Sequence, residues 1–190
     1  MELEKWGSPV LVNTSIDMAW LLPTVIPEGD SEENARGFLA LNLTRENQDE
    51  AAAFFVNEGG QFLLDWDATT GWCEVPWADV RSTRPQSAKI MRARITKKPS
   101  YDAIDGGVEQ SGYLLSNDDG GQFIFAFIPL DSEENKKHDK TLRDLLNYGQ
   151  LTTVVKGNVR VTVKVRYGDG SGGGSRFEIV DYLHKGWVRP

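Results

Sequence analysis

Val159, Val161, Val163 and Val165 interleave with Arg160, Thr162, Lys164 and Arg166. A period of two is that of a half-buried strand, with valines toward a core and the other face toward solvent or a partner. The strand material spans Leu151–Tyr167, with a break near Gly157-Asn158, and a return strand is expected at Arg176–Leu183. Setting Val165 opposite Phe177 and Val163 opposite Ile179 matches apolar with apolar. It also places Lys164 opposite Glu178, a favourable cross-strand pair. The outer face then carries Arg160, Thr162, Lys164, Arg166, Arg176, Val180 and Tyr182. The glycine-rich link Gly168–Ser175 has no helix after it, so it reads as a hairpin tip, or a finger over a polymer, and not as a phosphate loop.

Upstream, Ser87–Thr96 also alternates, with Met91, Ala93 and Ile95 on one face and Arg92, Arg94 and Thr96 on the other. Tyr101–Gln110 reads as loop. Gly112–Leu115 and Gln122–Ile128 flank Asn117-Asp118-Asp119-Gly120-Gly121, a hairpin signal because these residues tolerate positive φ. Asp131 caps a helix over Ser132–Asn147, with Glu134 completing a capping-box-like pair and Leu142, Leu145 and Leu146 as the apolar stripe. Strand, hairpin, strand, helix, long strand, hairpin, strand is the order of a five-stranded Greek-key barrel of the OB type, expected over about residues 88–183.

The first half is less regular. Strands are expected at Pro9–Thr14, Gly37–Leu43, Gln61–Trp66 and Trp72–Trp77, with a loop at Pro23–Asn34 and a turn at Asp67–Gly71. Ile16–Leu22 is apolar and fits either element. Thr44 can cap a helix over Glu46–Asn57 that stops at Gly59-Gly60. Residues 37–77 and 122–183 thus share an order of strand, helix, Gly-Gln and two strands, which suggests a duplication. The expected fold class is α+β and β-rich: a C-terminal OB-like antiparallel barrel with one helix (81–190), preceded by a smaller acidic β/α half (1–80), or one continuous domain.

Charge changes the picture because it is segregated. The 190 residues carry 28 acids and 21 bases, a net charge of −7. Residues 1–80 hold 15 acids and three bases; 81–98 hold seven bases and no acid; 99–135 hold eight acids and no base; 136–190 hold 11 bases and five acids. Such blocks speak to partners, or to pairing of the blocks within the folded monomer.

Scarce residues exclude much chemistry. Cys73 is the single cysteine, so neither an internal disulfide nor a Cys-rich metal site can form. His138 and His184 lie in different predicted elements and are not spaced as a zinc pair. No nucleophile elbow, Walker loop or dinucleotide fingerprint occurs. The residues Met1–Trp6 lack a secretory pattern, so a cytoplasmic location is expected. The longest apolar run, Phe123–Leu130, is about a third of a membrane span, and no membrane partner is expected. Asp65–Gly71 resembles a calcium loop, but its glycine falls one position late and Pro76 stands where glutamate is needed. No metal or cofactor is expected.

The function expected is non-catalytic binding of single-stranded nucleic acid. Arg92, Arg94, Lys98, Arg160, Lys164, Arg166 and Arg176 would meet phosphates, and Tyr182, or Tyr167 nearby, would stack on a base. A second reading makes Glu28, Asp30, Glu32, Glu33, Glu46, Asp49 and Glu50 the working surface of an acidic inhibitor or adaptor of the phage or mobile-element type, engaging a basic, nucleic-acid-binding protein. A third uses Asp65, Asp67 and Glu74 with a metal in a hydrolase. Trp66, Trp72 and Trp77 fit either core or partner contact, with core favoured for Trp66 beside Phe62 and Leu64. Sheet edges offer a route to a homo-oligomer.

Overall fold

The computed structural model describes residues 38–44, 50–58, 61–105, 107–146, 159–169 and 175–188. These fall into two compact units that divide between Thr70 and Gly71. The strand expected at Pro9–Thr14, the loop at Pro23–Asn34, and Glu28, Asp30, Glu32, Glu33, Glu46 and Asp49 lie outside the described residues.

The first unit contains a three-stranded antiparallel meander: β1 Phe38–Thr44, β2 Glu50–Glu58 and β3 Gln61–Leu64. Leu41 pairs with Ala53, and Val56 with Leu63. The helix expected over Glu46–Asn57 is therefore a strand over its described part. Its Glu-Ala-Ala-Ala start favours helix locally, but Phe54-Phe55-Val56 favours a strand and a neighbour on each edge decides the outcome. Glu50 opens this strand opposite Thr44. The turn expected at Asp67–Gly71 is, over most of its length, a short helix, α1 Trp66–Thr70. Asp65 caps it, its Oδ1 accepting from the Ala68 N–H at 2.9 Å, and Thr69 Oγ1 accepts from the Phe54 N–H at 2.9 Å. Phe62, Leu63, Leu64 and Trp66 are exposed, so the core role expected for Trp66 does not hold.

The second unit is a closed barrel. The segment before it makes no strand at Trp72–Trp77. It crosses as irregular chain, with the Glu74 N–H donating to the Ile90 carbonyl at 3.0 Å, then forms α2 Val80–Thr83. The strands are β4 Lys89–Lys97, β5 Ala103–Asp105, β6 Val108–Ser116, β7 Phe123–Pro129, β8 Val159–Asp169 and β9 Ser175–Lys185. They run in the order β4-β8-β9-β7-β6, and β6 returns to β4 to close the ring. β5 prolongs the line of β4 along the same edge of β6. The connectivity is that of the OB-type Greek-key barrel. It is mixed, not wholly antiparallel, because β7 and β9 run parallel.

Inward residues alternate along each wall: Met91, Ala93 and Ile95; Tyr113 and Leu115; Ile124, Ala126 and Ile128; Val161, Val163 and Val165. Burying each valine, leucine, isoleucine or methionine among them contributes about 1.5–3 kcal/mol. α3 Glu133–Leu145 lies between β7 and β8 in the chain and adds Leu142 and, at its C-cap, Leu146 to the core. Its cap is Ser132, whose side chain accepts from the Asn135 N–H, and not Asp131, which binds the Asn135 side-chain amide at 2.8 Å. Asp139, on the same helix, accepts from the Tyr113 hydroxyl at 2.6 Å. Because residues 50–58, where the first repeat would need its helix, form β2 while α3 stands between β7 and β8, the repeated order suggested by the sequence is not repeated in the fold. Among the described residues no helix is long and apolar enough to cross a membrane.

Candidate nucleic-acid interface

The structure scatters the expected basic groove. Arg92 is buried beneath the segments that flank the barrel strands. Its Nε donates to the Trp187 carbonyl at 3.0 Å and its Nη1 to the Trp72 carbonyl at 2.6 Å. It serves the fold and does not face a phosphate. Lys164 pairs with Asp181 at 2.9 Å and Arg166 with Glu178 at 2.8 Å. The expected register of β8 on β9 is displaced by two residues: Val165 faces Ile179, Tyr167 faces Phe177 and Arg166 faces Glu178. Irregularities at Thr162/Val163 and Lys164/Val165 then change the parity of β9. Val163 consequently faces Tyr182, which turns inward against the core, where burial raises its phenol above the ordinary range. Tyr182 therefore packs against the core and is only partly exposed.

A different surface forms on the outer side of β4, β6 and β7. Directly opposed residues share a face, so the registers can be read as rows. Arg160, Arg94, Ser116 and Phe123 make one row; Thr96, Leu114 and Phe125 the next; Gly112 and Phe127 the third. Phe123, Phe125 and Phe127 thus form an outward aromatic stripe along β7, while Ile124, Ala126 and Ile128 fill the core.

Tyr101 completes the stripe. β4 ends at Lys97, and a 3-10 turn at Pro99–Tyr101 bows the chain across the face of β6. Lys98, half-buried, starts that turn with its N–H on the Gly112 carbonyl at 3.0 Å. Asp102 fixes the far side, accepting from the Gly112 N–H at 2.8 Å and from the buried Lys97 ammonium. Tyr101 then stacks on Phe125 with centroids 4.4 Å apart and planes at 29°, and Phe123 meets Phe125 edge-on at 5.8 Å. Tyr101 and Phe123 remain exposed, at 41% and 39%.

Arginines stand at both ends of the stripe. The Arg81 guanidinium lies 4.5 Å from the Phe123 ring centre and its Nε donates to the Phe123 carbonyl at 2.8 Å. Arg176 lies 5.5 Å from the Phe127 ring centre and donates to Gln110 Oε1 at 2.7 Å. Beyond Phe123 in its row, Arg94 and Arg160 both reach Asp118 in the β6–β7 turn, at 2.6 and 2.8 Å.

The chain matches no family model, no curated protein and no solved structure. The hydrolase candidates have local duties: Asp65 caps α1, and the Glu74 carboxylate accepts from the Ile90 N–H at 2.6 Å. Among the described residues no three His, Cys, Asp or Glu side chains come together as a metal cluster. Of the acids expected to meet a basic partner, only Glu50 is described, at the start of β2, and its side chain is outside the described residues.

Phe123, Phe125, Phe127, Tyr101 and Arg81 were not among the residues expected from the sequence. The signal for the phenylalanines is present in Phe123–Ile128. A strand apolar on both faces, with aromatics at every second position, has one aromatic face to place outside a small barrel.

Proposed function

We propose that the protein is a non-catalytic binder of single-stranded nucleic acid, acting through the outer face of β6 and β7. The observation that carries this reading is the outward stripe of Tyr101, Phe123, Phe125 and Phe127, exposed at Tyr101 and Phe123, with guanidinium groups at both ends. Stacked bases need exposed ring faces, and a phosphate chain needs cations beside them. In OB-type barrels this wall is where oligonucleotides and oligosaccharides bind. Two exposed rings offer about 1–3 kcal/mol per stacked base. The net charge of −7 works against non-specific duplex binding, which is almost wholly electrostatic.

A cytoplasmic location belongs to the same proposal, supported by the lone buried thiol of Cys73. The test is a titration of labelled single strands against the protein and its Tyr101→Ala and Phe123→Ala variants. Weakened binding by both variants with an intact fold supports the reading; unchanged binding refutes the stripe as the site.

A further inference from the structure

Arg94 and Arg160 are direct partners across β4 and β8. Like charges placed opposite each other on one face repel, so an anion between them is stabilising. That anion is the carboxylate of Asp118. Arg94 Nε meets its Oδ1 at 2.6 Å, and Arg160 grips both oxygens, with Nη2 at 2.8 Å from Oδ2 and Nε at 3.1 Å from Oδ1. The two-pronged geometry that suits a carboxylate also suits a phosphate.

We infer that Arg94 and Arg160 form a phosphate site in which Asp118 is a resident, displaceable anion, exchanged for a phosphodiester of the bound strand. The inference rests on the nucleic-acid reading and names a regulated subsite within it.

Three observations support the exchange. First, Asp118 comes from the β6–β7 turn and not from a barrel wall. That turn closes without its side chain: the Gln122 N–H donates to Asn117 Oδ1 at 3.0 Å, the Asn117 N–H to the Gln122 carbonyl at 3.0 Å, and the Gly121 N–H to Asp119 Oδ1 at 2.7 Å. A rotation of the Asp118 side chain therefore costs the two arginine contacts and leaves the turn standing. Second, Arg160 has a support independent of the carboxylate, its guanidinium lying 4.8 Å from the Trp187 ring centre. It stays in place when the anion changes. Third, the site shares a row with Phe123 through Ser116. Two inter-strand steps separate Arg94 from Phe123, roughly 10 Å, so one strand can stack a base on the ring and present a nearby phosphate to the arginines.

A carboxylate and a phosphodiester carry the same single charge. The wild-type exchange is then close to balanced electrostatically, and Asp118 acts as a built-in competitor. Removing its charge removes that competitor from the two guanidiniums. A purely structural Asp118, which only staples the turn to the barrel, predicts the opposite sign: loosening the turn beside Phe123 would weaken binding.

The experiment measures a fluorescein-labelled oligothymidylate by anisotropy against the full chain and Asp118→Asn, at low salt and across a salt series. The exchange predicts affinity about tenfold higher in Asp118→Asn and a log–log salt slope steeper by about 0.7. It also predicts that Asp118→Asn with Arg160→Gln loses the gain. Thermal melting of each variant confirms that folded proteins are compared. Wild-type binding with equal or weaker binding by Asp118→Asn overturns the exchange and leaves the nucleic-acid reading standing. No binding by either protein at low salt overturns both.

Discussion

Tyr101 stacks on Phe125 across the bare backbone of Gly112, the ring centroids 4.4 Å apart. A Cβ on Gly112 would lie 2.6 Å from the Tyr101 Cβ and 2.9 Å from its backbone carbonyl. The glycine is what lets the turn after β4 lie flat on β6 and bring a tyrosine to the phenylalanine stripe. Local backbone approach thereby builds the surface on which the functional proposal depends.

Gly112→Ala must push that turn away. The expected result is a loss of roughly 1–3 kcal/mol of stability by urea unfolding, together with weaker single-strand binding. A variant with unchanged stability would show that the turn relaxes without strain.

Tyr101→Ala and Phe123→Ala remove exposed rings and should each weaken single-strand binding about tenfold, from the stacking energy of one base. Their stability should fall by no more than about 1.5 kcal/mol, the order of an aromatic pair. The pair of measurements, affinity and melting temperature, separates a lost platform from a damaged fold.

Arg92→Ala should do the reverse. It strands the Trp72 and Trp187 carbonyls and empties a buried volume, so a loss of about 3 kcal/mol is expected. Single-strand affinity, measured well below the melting temperature, should stay close to wild type. A large affinity loss in a folded variant would return Arg92 to the interface.

Cys73 gives a pH prediction. Burial pushes its thiol from 9.0 up to about 11, only partly offset by its contacts with Arg92 and Trp77. The native state thus favours the protonated thiol. Its contribution is fully present below pH 9 and is lost as pH rises toward about 11, a total of roughly 2–3 kcal/mol. The Tyr113 phenol, raised first by burial and then by its bond to Asp139, acts in the same direction at higher pH. Urea midpoints should therefore be flat with respect to these groups below pH 9 and fall above it. A thiol reagent at pH 8 should label Cys73 only as the protein unfolds.

Much of the barrel is legible in the sequence. The valine alternation at 159–165, the turn at Asn117–Gly121 and the helix between strands specify the OB order, because each is a local periodicity or a local backbone preference. The register of β8 on β9 was not readable. Two irregularities shift it, and no residue type announces them. The difference decides Tyr182, which faces the core because a parity change follows Val163. Arg92 and Arg94 are also alike in sequence. Only the chain crossing from Trp72 and returning at Trp187 buries one and leaves the other with Asp118. Residues 50–58 depart from the expected helix for a further reason: their alanines favour a helix locally, and the strand neighbours supplied by the rest of the sheet override that preference.

The central claim is that the Tyr101–Phe127 face binds single strands with help from Arg81, Arg94, Arg160 and Arg176. Its most direct test is an anisotropy titration of labelled single-stranded and duplex oligonucleotides over a range of salt. With Arg81, Arg176 and the Arg94–Arg160 pair each engaging one phosphate, the account predicts a preference for single strands and a log–log salt slope of about −2, with affinity reduced in Phe123→Ala. Absence of binding at low salt, or equal binding of duplex unaffected by Phe123→Ala, would contradict it.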